Sequence, residues 1–214
     1  MTGRSVKSQS GRTRRGRPGY DLDTLLDASV EVFTERGFDG ASMEDLSKHL
    51  GITKSAIYHH VASKDELLGL ALNRAHGQLE AVFAEAKALD VGPVERLQHL
   101  LRNTVAVVVR ERPYVALLLR VRGNTEQERA SMARRRVFDA DLAAMVQEAA
   151  DAGAIAPEVP PALAARLLFG LVNSLTEWVR PNSDPEVVAD AISRLVFEGL
   201  LVDGYEPPAE STAQ

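Results

Sequence analysis

From Asp21 to about Leu201 the apolar residues of this chain recur at intervals of three and four and nowhere alternate with polar ones. That periodicity dictates helices and leaves no place for a sheet. It is punctuated by helix-start and helix-stop residues so regularly that about nine helices can be drawn. The first spans about 21–36, with Leu22, Leu25, Leu26, Ser29, Val30 and Phe33 on one stripe and Gly37 as its stop. Ser42, with Asp45 three residues on, opens a short helix that Gly51 ends, and Thr53 caps another through about His60. Ser63-Lys64-Asp65-Glu66 has the spacing of a full capping box and opens a long helix to about Leu89. Prolines 93, 113 and 185, with Asn124 and Ala162, mark the starts of helices at about 93–111, 113–120, 124–151, 162–179 and 185–201. The expected class is all-α.

Charge is unevenly placed. The 214 residues carry a net charge of −5, yet residues 1–20 hold six arginines and lysines and no acid. Residues 1–64 come to +2 and the remainder to −7. A basic front on an acidic body suits a protein that meets phosphate at one end, although a solvated basic tail looks the same in sequence. No cysteine is present, which excludes disulfides, thiolate metal sites and cysteine nucleophiles. No secretory leader or apolar span is visible, so a cytoplasmic chain with no membrane partner is expected.

Two short helices joined at Gly51-Ile52 give the outline of a helix-turn-helix. A second helix of that kind reads bases from its N-terminal end. Lys54 can donate to guanine O6 or N7, Ser55 can serve either base type, and Ala56 can touch a thymine methyl. Ile57 is expected to face the core. Tyr58 and His60 flank the groove, Tyr58 with a phenol for phosphate, and His59 could reach a base edge or phosphate. Core packing is the competing role for Tyr58. A metal at His59-His60 is not expected, since adjacent side chains on a helix diverge and no third ligand stands nearby. Lys64, in the first turn of the next helix, supplies an ammonium beside free backbone N–H groups, a phosphate clamp. Ser42 and Thr53 can cap and also meet phosphate.

The stretch Gly51-Ile-Thr-Lys-Ser-Ala-Ile-Tyr-His-His-Val-Ala-Ser-Lys-Asp-Glu-Leu-Leu68 resembles the recognition helix and following turn of the TetR family of repressors. Gly37-Phe-Asp-Gly-Ala-Ser-Met-Glu-Asp-Leu46 and the Ala28-to-Phe33 helix resemble that family too. The likeness is close over about 20–68. Val61 stands where the family commonly has Phe, as it does in the tetracycline repressor subgroup. Beyond residue 70 only the helix count and length are similar.

The resemblance implies four parts: a basic arm (1–19), a helix-turn-helix domain (20–66), a ligand-binding and dimerisation domain (67–203) and a tail (204–214). It implies double-stranded operator DNA as a partner, with Arg14, Arg15 and Arg17 of the arm adding nonspecific or minor-groove contacts. It implies a homodimer through the last two helices. Leu167, Leu171, Ser174, Leu175 and Trp178, with Ile192, Leu195, Val196 and Gly199, are the expected interface, though some must serve the chain's own core. A small-molecule effector is expected among helices five to eight, where Leu117, Arg120, Asn124, Phe138, Met145, Phe169, Asn173 and Glu177 are the candidate wall. Arg120, Arg122, Arg134, Arg135 and Arg136 beside an apolar cavity would suit an acyl- or aryl-CoA thioester. The segment 112–125 loosely resembles acyl-CoA-responsive members of the family. An amphipathic drug or aromatic metabolite is the alternative effector, and pairing of these arginines with Glu126, Glu128 and Asp139 is the alternative role. No cofactor is expected, and none of the common catalytic fingerprints occurs, so an enzyme is not expected. A helical adaptor without DNA binding is the competing class; a salt-steep affinity for duplex DNA separates the two.

Overall fold

The computed structural model describes residues 21–155 and 159–199, and among these it contains nine helices and no strand. They are α1 (Leu22–Arg36), α2 (Met43–Leu50), α3 (Lys54–Tyr58), α4 (Lys64–Ala88), α5 (Pro93–Arg110), α6 (Arg112–Arg120), α7 (Glu126–Asp151), α8 (Pro161–Trp178) and α9 (Pro185–Phe197). The basic arm and the tail lie outside the described residues.

The expected punctuation operates. Asp21 Oδ1 accepts from the Thr24 N–H at 2.8 Å, which holds the Asp21 carboxyl below its ordinary pKa. Ser42 and Asp45 form the complete reciprocal box, with Asp45 accepting from the Ser42 N–H at 3.0 Å and Ser42 Oγ from the Asp45 N–H at 3.2 Å. Gly51 takes the left-handed conformation, φ +66°, that turns the chain from α2 into α3. Ser63 caps Glu66 as expected, but the Glu66 carboxylate reaches one residue further back, to the Ala62 N–H at 2.5 Å. The expectation of a full box there is corrected to a cap plus this longer return. Two helices end earlier than the periodicity suggests: α3 closes at Tyr58, and α9 at Phe197, before Gly199 at φ +86°.

The first three helices and the start of α4 share a core of Leu25, Val30, Phe33, Leu46, Ile57, Leu67 and Leu68, all fully buried. α4, 25 residues long, runs on about 37 Å into the second half, so one rigid rod serves both cores. There it packs against α5, α6 and α7. α8 lies on α7, α5 and α6, and α9 lies along α5, where Arg102 pairs with Asp190 and Glu186. α6 touches both halves, packing on α1 and on α8.

Candidate nucleic-acid interface and effector cavity

α3 is anchored by one residue. Ile57 is fully buried, while Thr53, Lys54, Ser55, Tyr58, His59 and His60 are exposed and Ala56 is half-buried. The Thr53 hydroxyl caps the helix through the Ala56 N–H at 3.2 Å. Tyr58 is 51% exposed, so core packing is not its role. The face that would meet a groove is therefore free of core duties. Lys54 is not a bare cation, because its ammonium pairs with Glu44 of α2 at 3.1 Å. Glu44 also takes Lys48 at 3.0 Å, and these two partners, Lys48 first, hold its carboxyl below the usual range. Ser42, at the start of α2, is exposed, but its hydroxyl is engaged by Asp45 at 2.6 Å.

Lys64 departs from the expected free ammonium. Its Nζ donates to the Phe38 carbonyl at 2.7 Å and the Ala41 carbonyl at 2.9 Å, and stands 4.2 Å from the centre of the Phe38 ring. Two of its three donors are thus spent on the turn between α1 and α2. The ammonium therefore clamps that turn, with one donor left for the phosphate contact expected of it. Arg14, Arg15 and Arg17 lie outside the described residues.

The eight expected effector residues do not form one wall. Phe138, Phe169 and Asn173 line an almost wholly apolar cavity of about 60 Å³ bounded by α4 to α8. Leu117, Arg120 and Asn124 line a separate groove, of about 690 Å³, between the α1–α2 turn and the end of α6. Met145 is buried in the core and Glu177 is exposed, and neither lines either space. Arg120 donates to the Thr34 carbonyl on α1 at 2.9 Å, and Asn124 to Asp39 at 3.1 Å, so both tie the two halves together. Glu128 pairs with none of the arginines. It is buried and accepts from the Arg122, Gly123 and Asn124 N–H groups at 2.7–3.1 Å. Arg134 pairs with Glu80 at 2.8 Å.

Of the arginines expected beside an apolar cavity only Arg135 lines this one, and the residues missed include Leu79 and Phe83 on α4, Thr104 on α5 and Leu118 on α6. Their assembly depends on five helices meeting, which no local pattern encodes. A tight polar network sits nearby. Arg74 of α4 donates from Nε to Glu111 at 2.8 Å and from Nη1 to the Tyr114 hydroxyl at 3.2 Å, and Tyr114 donates to Asp27 of α1 at 2.5 Å. Burial, then the bond to Asp27, pushes the Tyr114 pKa far up, and the Glu111 bond raises that of Arg74.

On the expected dimer face, Leu167, Trp178 and Leu195 are exposed, Leu171, Ser174 and Val196 are half-buried, and Gly199 is exposed. Leu175 and Ile192 are buried within the chain, which corrects their assignment: they serve its own core. Leu163 and Val187 are exposed large apolar residues on the same two helices that were not anticipated. Among the described residues no group of three His, Asp or Glu side chains is placed to hold a metal, and no helix is long and apolar enough to cross a membrane.

A family model for bacterial regulatory proteins of the tetR family matches residues 25–71, and one for the tetracyclin repressor-like C-terminal domain matches residues 90–200. A solved TetR-family regulator from Streptomyces coelicolor A3 is 49% identical, covers 84% of this chain and 92% of its own, and superposes with a TM-score of 0.79. The solved complex of AibR with isovaleryl coenzyme A and operator DNA is similar at 25% identity and a TM-score of 0.69, over 82% of this chain and 97% of that one. The transcriptional repressor KstR2 of Mycobacterium tuberculosis is 23% identical over 193 residues, 84% of this chain and 92% of its own.

Proposed function

The chain belongs to the TetR family of transcriptional regulators, and from that premise we propose that it is a homodimeric repressor released from a palindromic operator by a small molecule. The observation that carries the DNA-binding part is α3, held by Ile57 alone with Lys54, Ser55, Tyr58 and His59 facing outward. Such a helix can enter a major groove without disturbing its core. Tyr58 and His60 would contact phosphate, and the arm's arginines would add charge beside the duplex.

The dimer face would be built on α8 and α9. Leu163, Leu167, Trp178, Val187 and Leu195 leave large apolar side chains open on these two helices, and a second copy that covered them would gain by their burial. Two-fold pairing places two copies of α3 on successive half-sites, about 34–36 Å apart or somewhat more.

The effector would enter the cavity bounded by α4 to α8. Its candidate class is an acyl- or aryl-CoA thioester, supported by the similarity to AibR, which is solved with isovaleryl coenzyme A. A volume of about 60 Å³ is room for about four water molecules, so most effectors must spread the walls. The wall most consequential to move is α6. Val115, Leu118 and Leu119 face the cavity, while Tyr114 and Arg120 of the same helix hold Asp27 and the Thr34 carbonyl of α1. An effector that favours the displaced α6 by a few kcal/mol would shift the dimer out of register with the operator.

The test is selection of random duplexes by purified protein at two salt concentrations. An enriched palindrome with salt-steep affinity is the expected result. Weak binding without enrichment would overturn the repressor reading and favour a helical adaptor.

A further inference from the structure

The apolar cavity bounded by α4 to α8 has a polar end. Arg135 lines it, half-buried, and among the described residues no carboxylate lies within ion-pair distance of its guanidinium. The one hydrogen bond its side chain makes among the described residues, to the Leu118 carbonyl, is long at 3.5 Å. The neighbouring Arg134, on the same helix, is fully engaged by Glu80 at 2.8 Å and Asn73 at 2.7 Å. Thr104 lines the same cavity, and its Oγ1 is buried without a hydrogen-bond partner among the described residues. Asn173 lines it as well, and among the described residues its side-chain amide makes no hydrogen bond, while its backbone carbonyl accepts from the Thr176 hydroxyl.

Of the three, the Thr104 hydroxyl is the one that is costly in an empty pocket, because it is cut off from water. A hydroxyl removed from water without a partner loses free energy, and a half-buried guanidinium with no carboxylate beside it keeps donors open to an anion. Folded chains bond nearly all such groups. The buried hydroxyl, the unpaired guanidinium and the amide around one apolar cavity describe a ligand with an oxygen-bearing head and a hydrocarbon body. The head must be anionic or strongly accepting, because a guanidinium has donors only. A cationic amphiphile would face repulsion there.

We propose that Arg135, with Thr104 and Asn173, recognises the acyl oxygen of a short apolar acid or of its thioester, and so sets the effector's chemical class. The proposal rests on the reading of this cavity as the effector site. The body is short because the cavity is small. Its volume of about 60 Å³ is less than half the ~150 Å³ that accommodates a benzene ring, so each added carbon must push Leu118, Phe138 or Phe169 outward.

The experiment is titration calorimetry on the full chain with two probe series of roughly three to six carbons, free carboxylic acids and their CoA thioesters. S-butyl-CoA, which lacks the acyl oxygen, is the control. One series binds; free acids binding alone identify the carboxylate as the source, and thioesters binding alone identify the thioester. Arg135→Met weakens that binding roughly 10- to 100-fold and Thr104→Val roughly fivefold. S-butyl-CoA binds more weakly than butyryl-CoA by a comparable factor if the thioester is the source. Arg135→Gln serves if the methionine variant does not fold, and the fold of both is checked against wild type by helical circular dichroism and urea unfolding. Unaltered acyl binding in the Arg135 variants, equal binding of S-butyl-CoA and butyryl-CoA, or no binding by either series would overturn the proposal. Failure of the unliganded protein to select any duplex would instead count against DNA binding, and leaves the calorimetry readable on its own.

Discussion

Lys64 opens α4 yet acts on the turn between α1 and α2, where its ammonium lies over the Phe38 ring and holds the Phe38 and Ala41 carbonyls at 2.7 and 2.9 Å. Phe38 in turn meets Phe33 edge to face, with ring centres 5.3 Å apart. The cation thus fastens the turn that carries α2 to the core beneath α3. Lys64→Met should destabilise the protein by about 2 kcal/mol, from two lost charge-assisted bonds and the ring contact. Urea unfolding measures that loss. The slope of log affinity against log salt for the operator should change by much less than the full unit that one phosphate contact contributes. A loss of one unit with unchanged stability would restore Lys64 as a phosphate ligand.

This pair also marks how far sequence can be read here. Ser42, Gly51, Thr53 and Ser63 act within three or four residues, so their capping roles are local and were visible. Lys64 stands 26 residues from Phe38, and nothing in its neighbours says where its ammonium goes. The same holds for Leu175 and Ile192. An apolar stripe shows that a face is buried but not whether the chain itself or a second copy buries it. The cavity was the least legible part, because it is drawn from five helices: polar breaks in apolar helices pointed to Asn173 and a cation cluster to Arg135, but nothing local marked Thr104.

Glu44 places a carboxylate between Lys48 and Lys54, at 3.0 and 3.1 Å. If α3 enters the major groove, that charge faces phosphate and also holds Lys54 away from bases. Glu44→Gln should therefore raise operator affinity roughly three- to tenfold and steepen its salt dependence, since a freed lysine can displace a counterion. Fluorescence anisotropy at three salt concentrations reads both. Weaker binding by the variant would show that Glu44 orients Lys54 rather than restraining it.

His76 is fully buried between α4 and α7, bonded to Ser131 Oγ at 2.8 Å and tilted against Phe138. Burial first, then Arg134, lowers its pKa from 6.5 to about 4. In the unfolded chain it takes a proton near pH 6.5, whereas in the folded chain it resists one until about pH 4. The neutral ring's contribution is thus complete above pH 6.5 and is lost as pH falls toward 4. Through this group, stability should drop by about 3 kcal/mol across that window. His76→Gln should unfold at a lower urea concentration at pH 7 but lose less than wild type on going to pH 5. An equal loss in both proteins would assign the acid sensitivity elsewhere.

Leu167 and Val187 are 61% and 64% exposed, while Ile192, five residues beyond Val187 and so on another face of α9, is 5% exposed. A glutamate at an exposed position costs the isolated fold little, but a buried one costs several kcal/mol. Leu167→Glu and Val187→Glu should therefore sediment as helical monomers and bind the operator at least tenfold more weakly. Ile192→Glu should lose helicity altogether. Dimers from both exposed-site variants would place the partner on another face.

Tyr114 donates to Asp27 at 2.5 Å across the boundary between α6 and α1, and Arg74 lies over the Tyr114 ring, 4.2 Å from its centre, while holding Glu111. This is a bond between the helix that lines the cavity and the first helix of the DNA-binding half. Tyr114→Phe leaves the ring and its packing and removes only the hydroxyl. Alone it should cost about 1–2 kcal/mol, because Asp27 loses a donor and Arg74 an acceptor. With Asp27→Asn, a double-mutant cycle should return a coupling of about 1 kcal/mol. The informative readout is release rather than affinity. With α6 uncoupled from α1, the unliganded Tyr114→Phe protein should keep its operator within a fewfold of wild type, yet need more ligand for the same release. Release at the wild-type ligand concentration, with the coupling energy present, would mean that the signal travels along α4 and that Tyr114 only fastens the two halves.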